Sequence, residues 1–277
     1  MKHAETFFTM PDGTKIYSQS WLPEGTPKAL IMVEHGLAEH GGRYLNVANQ
    51  LVPAGFAVYA LDQYGHGKSD GTRVFVPQFE TYVDILKAFY DQLRAEHPDA
   101  KIFLLGHSMG SLISANYLLE HQEGIAGAVL SGVFTKTPDN ITPMLVSMSK
   151  ILSVIMPKTG VTAIDSSAIS RDPKVVEAYD NDPLVYRGKV TARLGAETLR
   201  GFQKVAEGQQ KISLPILLMQ GTEDQLVNPN NAQELYDKIS SEDKTLKYYE
   251  GYYHEVFNDF GKEKPLADLQ EWLEAHI

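Results

Sequence analysis

A serine flanked by two glycines is the first group in the sequence that could do covalent chemistry. Ser108 lies at the centre of residues 106–110, Gly-His-Ser-Met-Gly, directly after an apolar run at 102–105. A nucleophilic serine on a sharp turn between a strand and a helix requires small residues two positions before and after it. Both positions hold glycine. We therefore predict that Ser108 is a nucleophile, the alternative being a turn that only packs a helix close to a sheet.

A serine hydroxyl requires a base, and the base requires an acid that holds it in the correct tautomer. His254 follows the last predicted strand by a few residues, and Asp224 follows the strand before it. A loop at the carboxyl end of a strand can project such a side chain over the sheet. The order Ser108, Asp224, His254 is the order found in α/β-hydrolases. We predict that these residues form a catalytic triad, and we prefer Asp224 to its neighbour Glu223 as the acid.

Acyl transfer also requires hydrogen-bond donors for the oxyanion of the tetrahedral intermediate. One predicted donor is the backbone N–H of Met109, the residue after the nucleophile. The second is the backbone N–H of Leu37, in the loop that follows a predicted strand at 29–33. Gly36 permits an unusual backbone path, so that the N–H of Leu37 can point inward.

Alternating apolar and amphipathic segments must position these residues. An Asp-Gly pair at 12–13 predicts the turn of a β-hairpin. Further strands are predicted at 29–33, 56–61, 102–106, 128–130, 215–219 and 245–249. Helices are predicted at 44–54, 79–97, 108–120, 197–208, 231–239 and 265–275. Strands too apolar to be half-exposed suit a mostly parallel central sheet flanked by helices. Together with the order Ser108, Asp224, His254, this predicts an α/β fold of the α/β-hydrolase type.

The alternation stops between residues 133 and 189, where no comparable strand is predicted. We interpret this part as a cap inserted into a core made of 1–132 and 190–277. Within it, segment 144–156 is apolar apart from its serines and Lys150, with Met144, Met148, Ile151 and Ile155 at helical spacing. At about 1.5 Å per residue the segment is too short to span a membrane. Three roles are open: packing on the core, lining an acyl tunnel, or peripheral contact with a membrane.

The composition excludes several classes of function. The 277 residues include 25 basic and 35 acidic side chains, a formal net charge of −10, which disfavours nucleic acid as a partner. There is no cysteine, so disulfides, a cysteine nucleophile and thiolate metal sites are excluded. No apolar run has the length of a signal peptide at the amino end or of a membrane span elsewhere. We therefore expect a cytoplasmic protein, the alternative being an extracellular one if the numbering starts from a processed form.

Seven segments together resemble a known enzyme family. They are residues 35–44, 62–71, 106–110, 170–171, 179–184, 221–224 and 253–254. The first carries the most diagnostic pattern, H-G-x-x-E-H-x-x-R-Y. The chain is similar over nearly its whole length to monoacylglycerol lipases, in the serine aminopeptidase S33 or hydrolase 4 family. It departs from the family pattern at Leu37, where a smaller residue is common, at Gln63, where arginine is common, and at Ser111, where glycine is frequent.

The resemblance implies cleavage of a monoacylglycerol, a small lipid ester, through an acyl-serine intermediate, without cofactor or metal. It also implies four residues around the glycerol leaving group: Glu39, Arg43, His107 and Tyr179. A polyol does require convergent polar groups, but an ion pair between Glu39 and Arg43 that only braces a loop is an equal alternative. Other activities stay open on this fold: a lysophospholipase or broad carboxylesterase, a cofactor-free haloperoxidase or C–C hydrolase, and a non-catalytic binding protein.

Overall fold

An eight-stranded sheet forms the centre of the molecule in the computed structural model. The structure describes residues 1–137 and 142–277, without the side chains at 143–146 and 148. The strands are β1 (Lys2–Thr9), β2 (Lys15–Leu22), β3 (Leu30–Glu34), β4 (Ala57–Leu61), β5 (Ile102–His107), β6 (Ile125–Ser131), β7 (Gly160–Thr162), β8 (Val190–Thr191), β9 (Ile216–Gly221) and β10 (Lys244–Tyr249). Their order in the sheet is β1-β2-β4-β3-β5-β6-β9-β10, and β7 and β8 form a separate ribbon. The hairpin strands β1 and β2 pair antiparallel, as β2 does with β4, and the other pairs in the sheet are parallel. The predicted mostly parallel sheet is confirmed.

Helices cover both faces of this sheet. Those described are α1 (Leu45–Leu51), α2 (Glu80–Glu96), α3 (Met109–His121), α4 (Pro143–Ile155), α5 (Pro173–Asn181), α6 (Ala192–Gly208), α7 (Asn230–Lys238) and α8 (Glu263–Ala275). Residues of α1 and α8 join one buried apolar cluster, and residues of α2, α3, α6 and α7 join the other. Along β3, Leu30 and Met32 belong to one cluster, while Ile31 and Val33 belong to the other. Because both faces are covered, such a strand carries apolar side chains on both of its faces.

Some element boundaries differ from the predicted ones because capping acts before the apolar periodicity begins. The helix predicted at 44–54 is a 3₁₀ turn, Gly41–Tyr44, followed by α1, and the helix predicted at 197–208 begins at Ala192. Thr191 explains the earlier start, since its Oγ1 accepts a hydrogen bond from Leu194 N at 3.2 Å and donates one to Val74 O at 2.6 Å. Such a side-chain cap fixes the first turn of a helix.

The part of the chain predicted as a cap contains α4, α5 and the short strand β7 among its described residues. α4 packs against α6, and β7 pairs with β8. The chain after α5 is tied to the loop after β3, because Tyr186 N donates to Ala38 O at 2.8 Å and His40 Nε2 lies 2.9 Å from Asp182 Oδ2. No described helix combines the length and apolar character that a bilayer crossing requires.

Replacing Thr191 by alanine should lower the free energy of unfolding by about 1 kcal/mol, because the change removes the cap of α6. Urea unfolding followed by circular dichroism measures this loss. Thr198→Ala in the same helix is the matched control, since Thr198 Oγ1 only donates to Leu194 O within the helix and alanine is a better helix former. Equal losses in the two variants would contradict the capping role.

Candidate active site

Ser108 lies on a sharp turn between β5 and α3, at the carboxyl edge of the sheet. Its backbone has φ 52° and ψ −121°, a region that residues other than glycine rarely adopt. The flanking glycines are sterically required. A Cβ at Gly110 would lie 2.1 Å from the carbonyl oxygen of Glu34, and one at Gly106 would lie 2.4 Å from Ser114 Oγ. The helix therefore begins in direct contact with the ends of β3 and β5.

The imidazole of His254 is held by a buried carboxylate. His254 Nδ1 lies 2.7 Å from Asp224 Oδ2, whereas Glu223 is exposed. The other oxygen of Asp224 accepts hydrogen bonds from the backbone N–H groups of Leu226 and Val227, each at 2.9 Å. This arrangement places the proton of the neutral imidazole on Nδ1 and leaves Nε2 able to accept one.

The electrostatics of this pair favour proton transfer to His254. Burial disfavours the imidazolium, but the charge and hydrogen bond of Asp224 outweigh burial and raise the pKa of His254 above its usual value. Burial also disfavours the carboxylate, yet His254 and the hydrogen bonds hold the pKa of Asp224 below its usual value. Asp224 is therefore ionised at neutral pH and stabilises a positive charge on the ring.

Ser108 and His254 line one pocket of about 160 Å³. The structure brings into the same lining one of the two predicted oxyanion residues and all four residues implied for the leaving group, namely Leu37, Glu39, Arg43, His107 and Tyr179. Asp224 stands behind His254, and Met109 lines an adjoining cavity. The predicted site residues thus converge at one edge of the sheet.

The loop after β3 brings Leu37 beside the nucleophile. A Cβ at Gly36 would lie 3.3 Å from Ser108 Cβ, so the loop passes in contact with the serine. Ala38 has φ 64°, a second strained backbone position at this edge. The N–H of Met109, at the first position of α3, has no acceptor within the helix. Both predicted oxyanion donors therefore belong to backbone segments adjacent to Ser108.

Charged side chains form the polar end of the pocket. Arg43 lies between the carboxylates of Glu39 and Glu255, and its guanidinium stacks over the ring of Tyr179 at 4.7 Å. Burial opposes ionisation of Glu39, but the Arg43 charge, together with His107, His35 and the hydrogen bond from Gly36 N, outweighs burial and lowers the pKa of Glu39 to about 2. The ion pair between Glu39 and Arg43 is therefore both a loop brace and part of the pocket wall.

His107 is a neutral member of this wall. Its Nδ1 lies 2.8 Å from Ser131 Oγ, and its ring centroid is 4.7 Å from that of His254. Burial and the neighbouring His254 lower the pKa of His107 to about 4. An uncharged imidazole at neutral pH can form a hydrogen bond with a hydroxyl group without competing with His254 as the base.

Two of the departures from the family pattern have visible consequences. Ser111 Oγ donates to Ser108 O at 2.6 Å and accepts from Phe134 N at 2.8 Å, so it ties the turn at the nucleophile to the chain after β6. Gln63 Nε2 donates to Glu34 Oε2 at 3.0 Å. Because Gln63 brings no positive charge, burial raises the pKa of Glu34 well above its usual value.

Sequence reasoning did not single out Glu255. Its carboxylate accepts two hydrogen bonds from Arg43, at 2.6 Å from Nη1 and 2.7 Å from Nη2, and it lines the pocket. The signal that could have found it is its position directly after His254, because a loop that projects the base also faces the pocket.

A larger cavity of about 860 Å³ adjoins the pocket and shares Leu37 and Phe134 with it. Its described lining is mostly apolar and includes Met109, Ile151, Leu152, Ile155, Met156, Val161, Val190, Leu199 and Phe202. A cavity of this size and lining suits an acyl chain better than a polar ligand. The side chains of Met144 and Met148, predicted on the same helical face as Ile151, lie outside the described groups.

Comparisons with known proteins agree with this geometry. Residues 25–260 match the family model described as serine aminopeptidase, S33. The monoacylglycerol lipase of Mycolicibacterium smegmatis is 35% identical over 99% of this chain and 98% of its own. The human monoglyceride lipase is 38% identical over 88% of this chain and 80% of its own. The crystal structure of the Paleococcus ferrophilus monoacylglycerol lipase is similar with a TM-score of 0.84, at 31% identity, over 95% of this chain and 99% of that one.

Asp224→Asn should slow labelling of Ser108 by a fluorophosphonate probe by about 10⁴, because the amide cannot hold His254 in the required tautomer. Glu223→Gln is the matched control, since that side chain is exposed, and it should label at the wild-type rate. Time-resolved labelling read by mass spectrometry gives both rates. The reverse ranking would assign the acid to Glu223.

Proposed function

The chain belongs to the serine aminopeptidase S33 family of α/β-hydrolases, and on that premise we propose that it cleaves monoacylglycerols into fatty acid and glycerol. The observation that carries the proposal is that a pocket with a charged, polar end and a larger apolar cavity meet beside Ser108. A monoacylglycerol has the same division, since a glycerol group and an acyl chain join at the ester. The reaction requires no cofactor.

Acylation begins when the Ser108 hydroxyl attacks the ester carbonyl and His254 Nε2 accepts its proton. Asp224 keeps Nδ1 protonated and stabilises the imidazolium. The bond between the carbonyl carbon and the glycerol oxygen then breaks, and His254 returns the proton to that oxygen. Water attacks the acyl-serine by the same proton path, which releases the fatty acid and restores Ser108.

The tetrahedral intermediates carry negative charge on the former carbonyl oxygen. We assign its stabilisation to the backbone N–H groups of Leu37 and Met109. One donor of this kind is typically worth about 10²–10³ in turnover. The amino end of α3 adds a partial positive charge at the same place.

The polar end of the pocket provides the groups that a glycerol leaving group requires. Arg43 offers N–H donors, the neutral His107 ring can form a hydrogen bond, and Tyr179 closes the wall over Arg43. The carboxylate of Glu39 adds acceptor oxygens. These groups support recognition of hydroxyls that lie within a few bonds of the ester.

The cap supports binding of the acyl chain and contact with a lipid surface. Ile151 and Ile155 line the apolar cavity, yet they are 61% and 73% exposed. Side chains that are only packed on a core are buried, so this exposure favours contact with lipid over the packing role. We propose that α4 rests on a lipid surface peripherally and that the acyl chain passes along it into the cavity.

A hydrolysis panel tests the proposed function. Long-chain monoacylglycerols should be cleaved faster than diacylglycerols, lysophospholipids and short simple esters, and Ser108→Ala should lower the rate by about 10⁶. Circular dichroism checks that the variant folds. Hydrolysis that survives the substitution would contradict the assigned nucleophile. A preference for lysophospholipids, or for short esters, would replace the proposed substrate with the corresponding alternative.

Ile155→Ser should lower the rate on a long-chain monoacylglycerol by roughly tenfold, the effect of about two buried methylenes, and leave a short water-soluble ester nearly unchanged. The matched control is Ile277→Ser, at an exposed isoleucine outside the cavity lining. Sedimentation with neutral phosphatidylcholine vesicles should show weaker binding for Ile155→Ser alone. Equal losses on long and short substrates would instead support core packing.

A further inference from the structure

We propose that Glu255 is a positioning residue that fixes the oxyanion loop, residues 35–39, relative to the loop that carries His254. The inference rests on the proposed ester hydrolysis, because it concerns the same site. It adds a function for a side chain that takes no part in proton transfer and forms no bond with the reacting atoms.

The contact between Glu255 and Arg43 is bidentate and buried. The two oxygens of Glu255 accept from Nη1 and Nη2 of Arg43 at 2.6 and 2.7 Å, and the Arg43 side chain is 10% exposed. Two parallel hydrogen bonds between planar groups fix both distance and orientation. Glu255 itself is held from behind, because Asn258 Nδ2 donates to its Oε2 at 2.9 Å.

Arg43 passes this constraint to the oxyanion loop through Glu39. The Nη1 atom that contacts Glu255 also donates to Glu39 Oε2. Glu39 Oε1 accepts from Gly36 N at 2.7 Å and from Tyr44 OH at 2.9 Å. A continuous series of buried hydrogen bonds thus runs from the residue after His254 to the residue before Leu37.

The oxyanion loop requires stabilising contacts from residues outside it because its backbone is strained. Ala38 has φ 64°, which a non-glycine residue keeps only when its surroundings determine its conformation. No side chain at position 36 can stabilise this conformation, because a Cβ on Gly36 would lie only 2.8 Å from Glu39 Oε1. A displacement of a catalytic hydrogen-bond donor by about 1 Å can lower the reaction rate by a factor of about 10².

The charges around His254 give a second readout of the same residue. His254 faces Asp224, Glu255 and Glu39, all of which favour its protonated form, and His107, whose ring packs on it. Only neutral His254 can accept the serine proton, so the rate rises as pH increases through its pKa. Removing the negative charge of Glu255 lowers the pKa of His254. The acid limb of the pH–rate profile, where the rate rises with pH, should therefore move to lower pH.

Glu255→Gln tests the proposal, with Glu250→Gln as the matched control because Glu250 is an exposed glutamate near the start of the same loop. We expect kcat on a monoacylglycerol to fall at least tenfold with KM changed less than twofold, and the acid limb to shift downward. Glu255→Asp keeps the charge but is too short for the bidentate contact, so it should lower kcat without moving the limb. Glu250→Gln should behave as the wild type.

A double-mutant cycle with Arg43→Met shows whether Glu255 acts through Arg43. We expect Glu255→Gln to add little once Arg43 is replaced. Fully additive losses, or wild-type kcat in Glu255→Gln, would overturn the inference. So would a lower melting temperature with unchanged kcat and pH profile, because that outcome indicates a structural role alone.

The two proposals fail in different ways. A wild-type enzyme that cleaves none of the esters overturns the proposed function. The rate of fluorophosphonate labelling of Ser108 still reports the oxyanion loop in that case, since the phosphonyl oxygen uses the same donors. Labelling of Glu255→Gln at the wild-type rate then overturns the positioning role.

Discussion

Close packing of α3 against the ends of β3 and β5 is the constraint on which the rest of the site depends. With glycine at positions 106 and 110, the helix approaches the backbone of Glu34 more closely than any side chain allows. Ser108 has a positive φ at this point, and the chain after β3 passes in contact with it. Strain of this kind persists only on a rigid support, which the two apolar layers around the sheet provide.

Charged side chains in the site are stabilised by matched partners. Asp224 is balanced by His254, and Arg43 is shared by Glu39 and Glu255. Removing one member of such a buried set leaves the remaining charge uncompensated, which is more costly than forming the set was favourable. Groups held in this way do not need to reorganise as charge develops during a reaction, and that is the main electrostatic advantage of an enzyme site.

The core and the proposed cap differ in how far they bury their apolar side chains. Most apolar side chains of the core strands and helices are buried, whereas Ile151, Val154 and Ile155 of α4 and the following Met156 are exposed next to an apolar cavity. The chain after α5 is instead fastened to the oxyanion side by hydrogen bonds such as that from Tyr186 to Ala38. One part of the proposed cap therefore contacts the catalytic edge, and the other presents apolar surface.

The sequence by itself determined the features that depend on local sterics and burial. Glycines around Ser108, the Asp-Gly pair and the largely apolar strands predicted the sharp turn at the nucleophile, the hairpin and the parallel sheet, because each signal involves residues close together in the chain. The sequence favoured Asp224 and left Glu223 as its rival, and the contact between Asp224 and His254 settled that choice. Tertiary structure alone decided that Thr191 starts α6 and that Glu255 holds Arg43. The backbone points neighbouring acids on a loop in different directions, and ion pairs between distant loops form only where the sheet brings its strand ends together.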